Sequence, residues 1–193
     1  MYDDEFELTF DLSDEDKASR APEPEQEPVQ EAAPEPAAET EPPVEPVPEP
    51  AVPAANGRCV LISGGDRGIG AAAARAFWQA GYRVAVLYHP HAEAAAALEK
   101  ALPGLLAVQC DVASRASCEV AFHTVEQAVG HVDVLVSNAG IAQQKLFTDI
   151  TPEEWQHMLD VNLSGAFHLC QLALPGMIRR KAGRILTVSS MWG

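Results

Sequence analysis

The stretch Ser63-Gly64-Gly65-Asp66-Arg67-Gly68-Ile69-Gly70 decides how the rest of this sequence folds. It follows an apolar run typical of a buried strand, and it leads into an Ala-rich run at 71–80 that favours a helix. A glycine turn between a strand and a helix lets a pyrophosphate approach the unpaired amides of the helix N-terminus. We expect Gly64 to turn the chain, Gly68 to allow close approach of this ligand, and Gly70 to pack the helix on the strand.

Charge and proline divide the 193-residue chain near residue 57. Residues 1–57 contain 17 acidic and 2 basic residues together with 11 of the 15 prolines, whereas residues 58–193 contain 11 acidic and 11 basic residues. The Pro/Glu/Ala-rich run at 21–55 has too little apolar area to offset the entropy of ordering. We therefore predict a disordered acidic tail over 1–57 and a folded domain over 58–193.

Composition also excludes several classes of protein. An acidic tail beside a formally neutral domain argues against nucleic-acid binding, which needs a basic surface. No window approaches the roughly 18 consecutive apolar residues of a membrane span, and the start lacks a basic, apolar signal segment. The four cysteines are Cys59, Cys110, Cys118 and Cys170; they show no CxxC spacing and are interpreted as reduced core residues. Reduced cysteines, together with the lack of a signal segment and of a membrane span, predict a cytoplasmic protein.

Beyond Arg58 the pattern alternates short apolar runs with helical stretches. Near-continuous apolar runs are typical of parallel strands covered on both faces. The predicted strands are 58–63, 83–88, 105–110, 132–137 and 184–189, and the predicted helices are 69–80, 92–101, 115–129 and a long one from 152 toward 181. The long helix begins with a capping box at Thr151, and either 162–165 or Pro175 could bend or break it. The prediction is an α/β fold, a Rossmann-type doubly wound parallel sheet in the order 3-2-1-4-5.

The end of the second strand bears on the choice of cofactor. An NAD-preferring protein usually has an acid there for the ribose 2′-hydroxyl, but this chain has Tyr88-His89-Pro90-His91. Arg67 could meet a 2′-phosphate instead, which favours NADP, while the neighbouring Asp66 would repel that phosphate and leaves NAD possible. The two histidines lack partner ligands and are interpreted as a solvent-facing loop, so no metal site is predicted.

Two further strand ends carry polar or small residues. Asp111, at the end of the third strand, either hydrogen-bonds an adenine amino group or caps the next helix. Asn138-Ala139-Gly140 follows the fourth strand, where small residues let the backbone pack against a flat cofactor and an Asn amide can tie neighbouring strands together.

The ordered combination of these motifs resembles the short-chain dehydrogenase/reductase family. The motifs are Ser-Gly-x-x-x-Gly-Ile-Gly at 63–70, Asp-Val at 111–112, Asn-Ala-Gly at 138–140, Val-Asn-Leu at 161–163 and Ser-Ser at 189–190. The likeness covers 58–193 and is closest to the classical subgroup around the 3-oxoacyl-carrier-protein reductases. The segments around 141–145 and 190–193 also resemble a bacterial branch that reduces the 5-aminopentanone modification of elongation factor P.

The resemblance implies a role for each matching residue. The cofactor turn would be formed by Gly64, Asp66, Arg67, Gly68, Ile69 and Gly70; the adenine contacts by Asp111 and Val112; and the contacts near the nicotinamide ribose by Asn138, Ala139 and Gly140. Asn162 matches the Asn that holds a water in a proton relay, and Ser190 matches the Ser that polarises the substrate carbonyl. The implied activity is NADP-dependent reduction of a small-molecule, carrier-linked or protein-linked ketone, by a protein that forms homo-oligomers when complete.

One departure from the family pattern affects the implied activity. The proton donor of the family is a Tyr about 13 residues beyond the Ser, in a Tyr-x-x-x-Lys sequence, whereas the sequence stops at Gly193. None of its three tyrosines has a Lys in that position. We expect residues 1–193 to be an N-terminal fragment of a reductase; the alternative is a catalytically inactive nucleotide-binding module. Within these residues, the pocket contributors expected for the substrate are Gln143, Gln144, Met191 and Trp192.

Overall fold

A computed structural model describes residues 55–190. The predictions for the acidic tail, and for Met191 and Trp192 as pocket residues, fall on residues 1–54 and 191–193, outside the described range. Within it, a five-stranded parallel sheet has the order β3-β2-β1-β4-β5, as predicted. The strands are β1 Cys59–Ser63, β2 Arg83–Tyr88, β3 Leu106–Gln109, β4 Val134–Ser137 and β5 Arg184–Thr187. The helices are α1 Gly68–Gln79, α2 Ala92–Ala101, α3 Arg115–Val129, α4 Pro152–Leu159 and α5 Gly165–Arg180.

The central strand β1 divides the core into two layers. All five of its residues are buried, and successive side chains point to opposite faces of the sheet. Cys59 and Leu61 pack into one cluster with residues of α3 and α5, whereas Val60 and Ile62 pack into the other with residues of α1 and α2. The continuous apolar sequence of β1 therefore has a partner layer on each face, as expected for a doubly wound sheet.

The predicted long helix after Thr151 is helical over 152–180, but a π-type turn divides it into two α-helical parts. The predicted capping box is present: the Thr151 hydroxyl accepts from the Glu154 amide at 3.2 Å, and the Glu154 carboxylate accepts from the Thr151 amide at 2.9 Å. A π-type turn over Asp160–Ser164 separates α4 from α5, and the Gly165 amide donates to the Asp160 carbonyl. Pro175 lies inside α5 without ending it, so only the first of the two predicted break points interrupts the helix.

The strands are shorter than predicted at several ends: β3, β4 and β5 each have two residues fewer, and both missing residues of β5 are at its carboxyl end. This strand ends at Thr187 rather than at residue 189, so Ser189 and Ser190 follow the strand instead of belonging to it. All four residues of β5 are exposed, in contrast to the buried β4 beside it. Cys59, Cys110 and Cys118 are buried thiols and Cys170 is partly buried, as predicted for reduced core cysteines. None of the described helices is both long and apolar enough to cross a membrane.

Candidate functional site

A groove of about 650 Å³ opens where the carboxyl ends of β1 to β4 meet. In the sheet, β2 lies on one side of β1 and β4 lies on the other. The order of the strands reverses at β1, which leaves a crevice at this point. Ten of the eleven predicted cofactor residues line it. They are Gly64, Asp66, Arg67, Gly68, Ile69, Asp111, Val112, Asn138, Ala139 and Gly140. Further lining residues include His89, Pro90, Cys110, Ile141, His157 and Val161, which the sequence analysis did not assign to the cofactor.

The glycine turn forms the floor of the groove at the N-terminus of α1. Gly64 and Gly68 have φ angles of +60° and +53°, a backbone conformation that side chains disfavour. A Cβ on Gly68 would have no atom within 4 Å, so the surface above this glycine is open. Arg67 occupies the N-cap position of α1 without a side-chain hydrogen bond to the helix. The first amides of α1 therefore lack a side-chain cap, as an anion site requires.

Gly70 lies beneath the turn rather than in the groove. A Cβ at this position would overlap the Gly64 carbonyl oxygen and would lie 2.7 Å from the Asn138 Nδ2 atom. Only a residue without a side chain lets the first turn of α1 pack so closely on the loop after β1. The observed contact is thus between α1 and the turn, a more local contact than the packing of helix on strand that we expected.

Asn138 and Ser63 tie the ends of β4 and β1 together. The Asn138 Nδ2 atom donates to the Ser63 carbonyl at 3.0 Å and to the Gly64 carbonyl at 2.9 Å. In return, the Ser63 hydroxyl oxygen accepts from the amides of Asn138 and Ala139, each at 3.0 Å. Ser63 is 1% exposed, and the sequence analysis assigned it no role. Its position as the last residue of β1, opposite an Asn at the end of a neighbouring strand, was the available signal.

Asp66 places a buried carboxylate beside the turn. The residue is 7% exposed, and its Oδ2 atom has no hydrogen-bond partner among the described residues. The Arg67 Nε atom lies 3.8 Å away, and the Arg67 side chain is 62% exposed. A buried acceptor without a donor is costly, so this oxygen suits a ligand that brings a hydroxyl group.

Asp111 does not cap helix α3, so that alternative for this residue is wrong. Its Oδ1 atom accepts from the Ala113 amide at 3.0 Å, which closes a short turn after β3. The N-cap of α3 is Ser114, whose hydroxyl accepts from the Ser117 amide. Asp111 therefore remains a lining residue of the groove.

Neither predicted catalytic residue lines the groove itself. The Asn162 side chain is bonded to the loop after β4: its Oδ1 atom accepts from the Ile141 amide at 2.8 Å and its Nδ2 atom donates to the Ile141 carbonyl at 3.0 Å. Its amide therefore holds that loop in place. Ser190 is exposed and lies three residues beyond the end of β5. The Val188 amide, bonded to the Ser137 carbonyl at 2.9 Å, keeps this segment beside the end of β4.

A smaller cavity of about 240 Å³ adjoins the groove between the loop after β4 and helix α4. The two share Ile141 and His157, and Gln143, an expected pocket residue, also lines the small cavity. The loop is fastened by Lys145, whose Nζ atom donates to both Glu154 carboxylate oxygens at 2.8 and 2.7 Å. This contact, followed by the bond from the Thr151 amide, holds the pKa of Glu154 below its usual value.

Comparison with known proteins agrees with this architecture. The family model of the short chain dehydrogenases matches residues 58–193. The acetoacetyl-CoA reductase of Paracoccus denitrificans is 38% identical over 136 residues, covering 70% of this chain and 56% of that protein. The 3-oxoacyl-[acyl-carrier-protein] reductase MabA of Mycobacterium tuberculosis is 38% identical over 146 residues, covering 74% and 56%.

A solved structure has the same fold. A mutant short-chain dehydrogenase/reductase of Serratia marcescens superimposes with a TM-score of 0.65 at 29% identity, covering 72% of this chain and 57% of that one. The chain thus spans a little over half the length of the proteins that it matches. By its motifs, its sheet order and these matches, it belongs to the short-chain dehydrogenase/reductase family of oxidoreductases.

Proposed function

We propose that this chain forms the cofactor-binding part of an NADP-dependent carbonyl reductase. The observation that carries the proposal is the convergence of ten predicted residues, from the ends of β1, β3 and β4, on one groove with an uncapped helix N-terminus. The open surface above Gly68 fits a dinucleotide with ribose hydroxyls, as does the Asp66 Oδ2 atom, which has no hydrogen-bond partner within residues 55–190. When bound, the nicotinamide would supply a hydride to a ketone.

In this proposal each part of the groove holds one part of the dinucleotide. The amides at the start of α1 bind the pyrophosphate, and the Asp66 carboxylate accepts from a ribose hydroxyl. Asp111, whose carboxylate is oriented by the Ala113 amide, accepts from the adenine amino group beside Val112. The backbone of 138–140, fixed to β1 through Ser63, lies against the nicotinamide ribose.

The preference for NADP rests on Arg67. Its exposed guanidinium is in the turn, and the neighbouring end of β2 has no acid to bind a ribose 2′-hydroxyl. A charge-assisted bond to a 2′-phosphate contributes roughly 1.5–3 kcal/mol. Arg67→Ala should therefore weaken NADPH binding by about tenfold or more while leaving NADH binding nearly unchanged. Arg75→Ala is the matched control, since it removes an exposed arginine of the same helix outside the groove; equal losses for both nucleotides would remove the basis for NADP preference.

The substrate that we propose is a 3-oxoacyl thioester carried by CoA or by a carrier protein. Two similar proteins are named for the reduction of acetoacetyl-CoA and of 3-oxoacyl groups on acyl carrier protein. The motif resemblance to the elongation factor P branch makes a 5-aminopentanone group the second candidate. Oxidation of NADPH by the intact protein, compared between acetoacetyl-CoA and a protein-linked aminopentanone, discriminates between them.

Ser190 would polarise the substrate carbonyl, and Asn162 would position the loop that borders the cofactor. No Tyr-x-x-x-Lys sequence occurs within residues 1–193, so the proton donor in this proposal lies outside them. In a protein that includes the donor, Ser190→Ala should sharply lower turnover while Ser189→Ala should not. Full activity of Ser190→Ala would overturn its assignment. Nucleotide binding without turnover by any natural form of the protein would instead support the inactive binding module.

We also propose that the complete protein assembles into homo-oligomers. Helices α4 and α5 and the turn between them expose large apolar side chains that residues 55–190 leave uncovered. They include Trp155, Leu163, Phe167, Leu174 and Ile178. Sedimentation equilibrium of the intact protein tests this proposal, and a monomer at all concentrations would contradict it.

A cytoplasmic location likewise remains a prediction, which fractionation of the source cells would check.

A further inference from the structure

Two cysteines face each other at the adenine end of the groove. Cys110 directly follows β3, and Cys118 lies in the first turn of α3. Their sulfur atoms are 3.9 Å apart, and the two residues are 2% and 0% exposed. Asp111 and Val112, which line the groove, lie between them in the sequence.

The surroundings make the two sulfurs chemically different. Cys110 is the one that lines the groove, and the Ser117 hydroxyl lies 3.7 Å from its sulfur. The hydrogen bond shared with Cys118 lowers the pKa of Cys110, whereas the same bond and burial raise the pKa of Cys118. The Cys118 sulfur also lies 3.5 Å from the Val112 carbonyl, to which its thiol can donate. Cys110 is thus the sulfur from which a proton is more readily lost.

We propose that Cys110 and Cys118 are an oxidation site, at which a hydroperoxide or a small disulfide converts the dithiol into an intramolecular disulfide. With a hydroperoxide, the Cys110 thiolate attacks the terminal oxygen, the O–O bond breaks and an alcohol or water leaves, giving a sulfenic acid. The Cys118 sulfur then attacks the Cys110 sulfur, the S–O bond breaks, and water leaves. Two thiols and one hydroperoxide give one disulfide, one alcohol (or water) and one further water. With a small disulfide, the Cys110 thiolate attacks one of its sulfurs and releases a first thiol; the Cys118 sulfur then attacks the Cys110 sulfur of the mixed disulfide and releases the second thiol.

The geometry links this oxidation to the groove. To bond, the sulfurs must approach from 3.9 Å to about 2.05 Å, which closes a ring over residues 110–118. Asp111 and Val112 belong to that ring, and Val112 has little room to move because it packs against Gly165, where a Cβ would lie 2.9 Å from the Val112 Cγ2 atom. The disulfide should therefore displace Asp111 and weaken nucleotide binding, an effect that rests on the proposed function. By reciprocity, bound nucleotide should slow or disfavour the oxidation.

The test is to treat the intact, folded protein with hydrogen peroxide or oxidised glutathione and to map its disulfides by peptide mass spectrometry. We expect one Cys110–Cys118 disulfide, reversed by dithiothreitol, absent from Cys110→Ser and Cys118→Ser and retained in Cys170→Ser. The mapping in the unmodified protein does not depend on the folding of any variant. Four unmodified thiols after treatment, or a disulfide that involves Cys59 or Cys170 instead, would overturn the proposal.

A second measurement separates the oxidation site from its effect on the groove. NADPH affinity is compared before oxidation, after oxidation and after reduction, with an expected loss of about tenfold that dithiothreitol restores. If the disulfide forms and the affinity is unchanged, the link to the groove is wrong. If the reduced protein does not bind NADPH at all, the proposed function fails, while the mapped disulfide still decides the oxidation site.

Discussion

Replacing Gly70 with alanine tests the packing beneath the glycine turn. Two opposing effects decide the result. Alanine is favoured over glycine inside a helix by up to about 1 kcal/mol, and Gly70 is the third residue of α1. Against this, the new Cβ would overlap the Gly64 carbonyl oxygen and lie 2.9 Å from the Gly64 carbonyl carbon.

The clash should be the larger effect because the Gly64 carbonyl has little freedom to move. Asn138 donates to that carbonyl at 2.9 Å, and the Gly64 backbone is held at φ +60°. Overpacking a closely packed site costs typically about 1–3 kcal/mol, and a lost hydrogen bond adds about 1 kcal/mol. We expect Gly70→Ala to lower the free energy of unfolding by about 1–3 kcal/mol in total. Since the proposed function has this turn present its amides to the pyrophosphate, we expect the NADPH affinity to fall by about tenfold or more.

Gly104→Ala is the control for this experiment. Gly104 has φ +85° and a Cβ there would have no atom within 4 Å, so alanine meets only backbone strain of roughly 1–2 kcal/mol. It lies before β3 and does not line the groove. Urea unfolding and NADPH titration should show a stability loss without an affinity loss for Gly104→Ala, and both losses for Gly70→Ala. A Gly70→Ala protein with unchanged stability and affinity would refute the reasoning.

Three further changes have defined outcomes. Ser63→Ala leaves two backbone amides without their acceptor and should lower the free energy of unfolding, measured with urea, by about 2–4 kcal/mol. Ser63→Thr keeps the hydroxyl and should retain most of that stability. An unchanged free energy of unfolding in Ser63→Ala would show that water replaces the hydroxyl. Lys145 lowers the pKa of Glu154 in the folded protein. The ion pair therefore stabilises the fold at pH values above the pKa that Glu154 has in the unfolded chain, and this stabilisation is lost as the pH falls through the pKa of Glu154 in the folded protein. Lys145→Gln should raise the Glu154 pKa in carboxyl NMR titrations, and an unchanged pKa would remove Lys145 as its cause. Gly165→Ala should lower stability by about 1–3 kcal/mol, as its Cβ would press on Val112, and an unchanged urea midpoint would mean that α5 shifts freely.

The order of the strands and the composition of the groove could be predicted because both depend on local pattern. Each strand is a short apolar run, and each predicted lining segment follows a strand, so the parallel arrangement alone brings these segments together. The capping box at Thr151 could be predicted equally well, since its two residues are only three positions apart in the sequence. The carboxyl end of β5 and the position of the break between α4 and α5 could be predicted less well from the sequence, because both depend on contacts with neighbouring elements.

The features that were missed depend on contacts between distant residues. The hydroxyl of Ser63 meets amides that are 75 and 76 residues away, through the register of β1 with β4. No role was predicted for Gly65, yet a Cβ there would lie 2.5 Å from the Cγ1 atom of Val86 on β2. The two hydrogen bonds between Asn162, which lies in the π-type turn, and Ile141 span 21 residues. Sequence spacing does not encode such registers.

The most direct test of the central claim is calorimetric titration of the intact protein with NADPH and NADH. The claim is that the groove above the Gly64–Gly70 turn holds a phosphorylated dinucleotide. It predicts saturable binding with one site per chain, tighter for NADPH than for NADH, with the NADPH affinity lowered in both Gly70→Ala and Arg67→Ala. Absence of saturable heat with either nucleotide, or binding that neither substitution changes, would contradict the claim.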